Sequence, residues 1–183
     1  LATLLVERGT DPLFQSGSVV QADECLSFVY KAAAEIGELG DNTAALRRAL
    51  SADALLRRAL QSPGARVAIL GHTRWASVGI ISEPNTHPLN SFELEQSGGA
   101  QAPYVVAALN GDVDNHADLR VAHELRIAST ITTDAKVSPA LVARHATTTD
   151  LAEAFRRTVC EFEGSVAIGV ASAQAPSQLF LAL

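Results

Sequence analysis

Apolar positions along this chain follow two periods, and the change from one to the other marks out its elements. Leu26, Val29, Ala33 and Ile36 recur at spacings of three and four, which predicts a helix from Gln21 ended by Gly37 and Gly40. A second helix, capped by Asn42 or Thr43 and stopped by Pro63-Gly64, turns Leu46, Leu50, Leu56 and Leu60 inward and Arg47-Arg48 and Arg57-Arg58 outward. Leu-Arg-Arg-Ala-Leu occurs twice within it, a local duplication too short for a solenoid. Short apolar runs read as buried strands: Val67 to Leu70, Tyr104 to Leu109 with Asn110-Gly111 as its turn, and a returning strand from Ile127 to Thr132. Asp114 or Asn115 caps a helix to about Leu125, and Ser138, with Pro139 at the first helical position, opens another to about Ala146. Thr149 or Asp150 caps a last helix that buries Leu151, Ala154, Phe155, Val159 and Phe162. Gly164 to Ser172 and Gln178 to Leu183 form a hairpin. The first twenty residues read as a short helix or strand and then loop, and Ser91 to Pro103 as a polar excursion over the surface. This order of helical pairs and hairpin strands suits a layered α+β fold.

Composition narrows the picture. With 183 residues, 48% of them hydrophobic, one compact domain with a real core is expected. No apolar run approaches the roughly 20 residues of a spanning helix, and Glu7-Arg8-Gly9 follows Leu1 to Val6 too soon for a signal peptide, so a cytoplasmic protein without membrane contact is expected. A net charge of −6 argues against a nucleic-acid partner, and the arginine pairs, Arg156-Arg157 included, read as solvated helix faces. Cys25 and Cys160 are too few for a disulfide framework and lack metal-ligand spacing; both fall in helical patterns as small buried hydrophobes. There is no methionine, and the chain stops inside an apparent strand at Leu183, which points to a piece of a longer protein.

The richest stretch runs from Ile69 to Pro88, where an apolar run delivers Arg74, Trp75, Ser77, Asn85 and His87 into one loop. Taken alone, an Arg and a Trp after a strand fit the capping and covering of a sheet as well as they fit a site. Two later stretches answer them, Leu109-Asn110-Gly111-Asp112-Val113-Asp114-Asn115-His116 and Thr132-Thr133-Asp134. Together with His72-Thr73-Arg74-Trp75-Ala76 and Asn85-Thr86-His87-Pro88, they resemble in order and spacing the glutaminase domains of the glucosamine-6-phosphate synthases, which are class II, N-terminal-nucleophile glutamine amidotransferases. The resemblance runs from Val67 to the C-terminus. It implies a four-layer αββα sandwich, to which the residues near 21–62 add a helical segment. It also implies a single glutaminase domain that supplies ammonia for converting fructose 6-phosphate to glucosamine 6-phosphate, with the sugar isomerase region further along the protein. L-glutamine is the implied ligand, the protein a homo-oligomer, and no cofactor or metal is called for.

A glutaminase must hold a carboxylate and an ammonium and stabilise an oxyanion. Arg74 suits the carboxylate, because a guanidinium fork meets it in two parallel hydrogen bonds, and Asp134 suits the α-ammonium. Asn110 and Gly111 match the family's oxyanion hole, although an Asn-Gly pair alone is an ordinary tight turn. Trp75 matches a residue between the glutamine pocket and the ammonia path, and is equally a buried aromatic. Ser77 keeps the hydroxyl of the family's usual Thr. His87 contacts substrate or closes the loop, while His72 and His116 read as packed or hydrogen-bonded side chains, not metal ligands.

The chain departs from the family at Val78, Leu109 and Ala135-Lys136, where His, His and Thr-Glu are usual. The largest departure is at the start. The family's nucleophile is an N-terminal cysteine whose α-amino group is the base; position 1 is Leu1, so the chain by itself is expected to be inactive. Two alternatives stand beside this reading. One is the glutaminase domain of another amidotransferase such as amidophosphoribosyltransferase, which usually carries Arg-Tyr and Gln-Pro where this chain has Arg74-Trp75 and His87-Pro88. The other is a catalytically inactive glutamine-sensing or interaction domain.

Overall fold

The computed structural model describes Leu5, residues 14–33, Glu38, and residues 40–73, 78–94 and 102–183. The chain is α+β with antiparallel sheets. A two-stranded sheet pairs β1 (Ser18–Ala22) with β2 (Cys25–Val29). Two helices follow, α1 (Asp41–Ala52) and α2 (Ala54–Leu60). The main sheet has the order β3-β4-β5-β6 and comprises β3 (Leu89–Asn90), β4 (Val105–Val113), β5 (Gly164–Ser172) and β6 (Phe180–Ala182). Between its long central strands come α3 (His116–Ala122), α4 (Val137–His145) and α5 (Leu151–Cys160). Among the described residues no helix is long and apolar enough to cross a membrane.

The core lies between this sheet and the helices. Val105, Ala107, Leu109 and Val113 alternate along β4, Ile168 and Val170 lie beside them on β5, and Leu141, Val142, Ala154 and Phe155 close over them from α4 and α5. The helix at 151–160 is as expected, with Asp150 Oδ1 accepting from Glu153 N at 2.9 Å, and so is the C-terminal hairpin. The opposite face of the two central strands carries Val106, Ala108, Asn110 and Asp112 against Ala171, Gly169, Ala167 and Ser165, nearly all small.

Several expectations fail, each for a local reason. Instead of a helix from Gln21, residues 18–29 form a hairpin turned at Asp23-Glu24, with Asp23 at φ 51°. Val19, Val20, Phe28 and Val29 are β-branched or aromatic, and contacts from Tyr104 Oη to Ser27 Oγ (3.3 Å) and Cys25 Sγ to Ala173 O dock the hairpin on the main sheet. The extra helical segment near 21–62 therefore shrinks to α1 and α2. Asp53 divides those two helices, because its extended backbone ends the first while its Oδ1 accepts from Leu55 N and Leu56 N to cap the second. Gly40, not Asn42 or Thr43, stands at the α1 N-cap, and Leu55 is buried while Leu50 and Leu60 are exposed.

Val67 to Leu70 is not a strand: Val67 and Ile69 are 61% and 87% exposed, and no described strand pairs with them. Residues 127–132 are not a strand either. Ile127, Ala128 and Ile131 enter the core, but the backbone turns on itself through Ile131 N to Ala128 O. Asn110-Gly111 is no turn, since β4 runs through it to Val113. Helix α3 ends at Ala122, where Leu125 N folds back on Arg120 O. A 3-10 turn, Asp134–Lys136, leads into α4, so Pro139 is the third residue of the helix, within the turn whose N–H groups need no helical partner. Cys160 is exposed and Cys25 lies half-buried in a strand, so neither is a buried helical residue.

Candidate functional site

Asn85 is the centre of the candidate site, and it is fully buried. Its Nδ2 faces Ile80 O (3.1 Å), Ser82 Oγ (3.0 Å) and Thr132 Oγ1 (3.2 Å), and its Oδ1 accepts from Thr132 N (2.7 Å) and Thr133 N (3.1 Å). One amide thus bolts the loop before Pro88 to the segment that carries Asp134. Gly79 lets the two backbones touch: at φ 87° it sits so close that a Cβ would lie 2.9 Å from Thr133 N. Sequence reasoning placed Asn85 in the loop but missed this role, since its partners lie 47 and 48 residues away. The retrospective signal is chemical, because a buried amide in a loop needs a full set of partners.

The next link runs from Asp134 to the sheet. Asp134 is 4% exposed; its Oδ2 accepts from Val113 N at 2.8 Å and its Oδ1 from Thr133 Oγ1 at 3.2 Å. Strand β3 pairs with β4 only at Val106 and Ala107. Beyond that point the edge of β4 has no described strand beside it, and Asp134 occupies the edge at Val113. Asn110 and Gly111 lie on this open stretch, both exposed, paired on their other side with Ala167 and Val166. Gly111 has φ 113°, and a Cβ there would come within 1.9 Å of Ser165 O, so the backbone approaches as only glycine permits.

His87 and His72 also meet, Nδ1 to Nδ1 at 3.2 Å with rings edge to face at 4.5 Å between centroids. One nitrogen must donate and the other accept, so the pair joins the start of the motif loop to its end. The His87-Pro88 peptide is cis. His116 Nδ1 lies 3.0 Å from Val113 O. Arg74, Trp75 and Ser77 lie outside the described residues. The structure thus links Asn85 through Thr132 and Thr133 to Asp134 and the Val113 end of β4, sets His87 against His72, and places Asn110 and Gly111 further along β4.

Lys136 is a further buried residue that the sequence flagged only as a departure. It is fully buried two residues after Asp134; its Nζ donates to Asn90 O and Phe92 O, and the Phe14 ring lies 5.0 Å away. Burial, and then the nearby Lys31 charge, pull its pKa down from 10.5 to about 7 against the opposing pull of Glu93. Lys31 is lowered to about 8, also chiefly by burial.

Antiparallel α+β architecture with a buried polar relay at the edge of its main sheet is thus what the chain presents. No protein-family model matches it. Curated proteins similar to it include enzymes named glutamine-fructose-6-phosphate aminotransferase (isomerizing). That of Symbiobacterium thermophilum is 36% identical over 117 residues, which is 63% of this chain and 17% of the relative. That of Gloeobacter violaceus is 34% identical over 113 residues, 61% of this chain and 17% of the relative. A Bacillus cereus protein of the same name is 29% identical over 114 residues, 62% of the chain and 18% of the relative. The chain spans less than a fifth of the length of these relatives. The resemblance read from the four motifs is borne out, since the relatives carry the name of that family's enzyme.

Proposed function

We propose that this chain is the glutamine-binding, glutamine-hydrolysing domain of a longer enzyme that passes ammonia to fructose 6-phosphate, which is bound by a separate region. The observation that carries the proposal is the relay from Asn85 through Thr132, Thr133 and Asp134 to Val113, which gathers three of the four motif stretches at one edge of the main sheet. In this reading the Asp134 carboxylate takes the α-ammonium of glutamine, and the Arg74 guanidinium has the chemistry for its carboxylate. Asn110 Nδ2 and the Gly111 N–H stabilise the oxyanion formed when a nucleophile attacks the side-chain amide. Trp75, Ser77 and His87 are the remaining candidates for contact with the substrate. The nucleophile in this reading is an N-terminal cysteine of the longer enzyme.

The finer architecture belongs to the same proposal. The small-residue face of β4 and β5 has Leu70 Cδ1 only 3.3 Å from the position a Gly169 Cβ would take, and Val67, Ile69 and Leu181 lie exposed. Such a face suits a second sheet packed on the first, as the four-layer sandwich requires.

The test is ammonia release from L-glutamine by the full-length protein, with glucosamine 6-phosphate formation on adding fructose 6-phosphate. Both are expected. Glutamine binding without ammonia release would favour a sensing domain, and ammonia release without amino-sugar product would move the domain to another amidotransferase.

A further inference from the structure

Away from the candidate site, the C-terminal ends of three helices converge. His123 follows α3, His145 is the last residue of α4, and Glu161 follows α5. The two histidines address the two oxygens of one carboxylate: His123 Nε2 lies 2.6 Å from Glu161 Oε2, and His145 Nε2 lies 2.8 Å from Glu161 Oε1. The second contact lacks hydrogen-bond alignment, so a buried ring nitrogen points at the cluster with no hydrogen-bond partner. The imidazoles stand edge to face, 5.6 Å between centroids, and the three donor atoms lie within 4.8 Å of one another.

We infer that His123, His145 and Glu161 form a site for a divalent transition metal of the zinc class, one that ties three helices together. Two imidazole nitrogens and a carboxylate oxygen are a zinc-type donor set, and tetrahedral bonds of about 2.0–2.2 Å set neighbouring donors roughly 3.3 Å apart. To admit the ion, the His-to-Glu distances of 2.6 and 2.8 Å open by about 0.5–0.7 Å, and the two imidazole nitrogens, within 4.8 Å of each other, settle to the same spacing. Side-chain exposures of 26%, 18% and 32% leave room for water as the fourth ligand. The negative ends of three helix dipoles favour positive charge at this point.

The surroundings hold the donors without competing for them. Asn115 Nδ2 donates to Glu161 O at 2.9 Å, and the Thr148 and Thr149 hydroxyls donate to His145 O. The Arg144 guanidinium reaches the carbonyls of His123 and Glu124 and is itself paired with Glu93. Cys160, adjacent in sequence, turns its Sγ to Arg156.

The experiment is titration of chelator-treated protein with Zn²⁺ by calorimetry and with Co²⁺ by visible absorption, each beside a thermal melt. One equivalent is expected to bind, with the intense visible bands of four-coordinate Co²⁺ and a raised melting temperature. Glu161→Gln, which keeps hydrogen-bonding capacity toward both histidines, is expected to melt like the metal-free wild type and to weaken binding by at least about tenfold. His145→Gln should do the same, while Cys160→Ser and His72→Gln leave binding unchanged. Zn²⁺ binding that survives both Glu161→Gln and His145→Gln, or absence of a stoichiometric site in the wild type, would overturn the inference and leave an ion-paired cluster only.

Discussion

A methyl group on residue 111 would have to stand where Ser165 O already is, and it would have to do so at φ 113°. Gly111→Ala is therefore expected to cost about 2–5 kcal/mol, from left-handed strain plus overpacking, read as a lowered urea midpoint. A wild-type midpoint would show that β4 runs otherwise here. Its neighbour separates two readings. Asn110 is exposed, so Asn110→Asp should leave the melt unchanged; if its amide faces the developing oxyanion, kcat for glutamine hydrolysis in the full-length protein should fall about 10²-fold or more. Near-wild-type kcat would remove Asn110 from the chemistry. Asn85→Ala is expected to cost about 2–4 kcal/mol, since it strands the buried Thr133 N–H and uncouples the loop from Thr132. At this scale Asn110, Gly111 and Asp134 were legible as candidates, because motif spacing names residue types, and the roles proposed for them rest on that match. The bolt at Asn85 was not, because nothing near it in sequence shows its partners.

Among the elements, the short β3 and the segment after it are held by a lysine. Lys136 Nζ ties Asn90 and Phe92 carbonyls to the turn before α4. Since burial lowers its pKa from 10.5 to about 7, the unfolded chain keeps a proton between those values that the folded chain has lost. Unfolding takes up a proton there, so this contribution to stability rises with pH from about 7, and below about 7 the cost of the buried charge is fully present. Lys31, lowered to about 8, acts with the same sign; Tyr104, raised from 10.0 by burial, acts oppositely once the pH passes 10. Urea midpoints of the wild type are expected to climb between pH 7 and about 9.5, and Lys136→Met should flatten that climb. An equal climb in the variant would place the proton elsewhere. The elements that were legible, α5 and the β5-β6 hairpin, carry strong caps and unbroken periods. The β1-β2 hairpin was not, because Leu26, Val29 and Ala33 fit a helical spacing while docking on the main sheet decides for strands.

For the whole molecule, the apolar run at 67–70 shows what a pattern leaves open: it marks residues that want burial without saying which sheet edge receives them. The relay, by contrast, joins stretches far apart in sequence, and the order of the motifs along the chain was enough to single those stretches out. The central claim is that this edge holds the amino-acid end of glutamine between Arg74 and Asp134. The most direct measurement is calorimetric titration of L-glutamine into the full-length protein and its Asp134→Asn variant. Asparagine retains an oxygen for Val113 N and removes the negative charge, so the melt should stay close to wild type. Glutamine affinity should fall at least about tenfold, as loss of a buried charge partner requires, and Arg74→Ala should lower it comparably. Unchanged affinity in a folded Asp134→Asn variant would contradict the account and leave Asp134 as a clamp between β4 and the turn before α4.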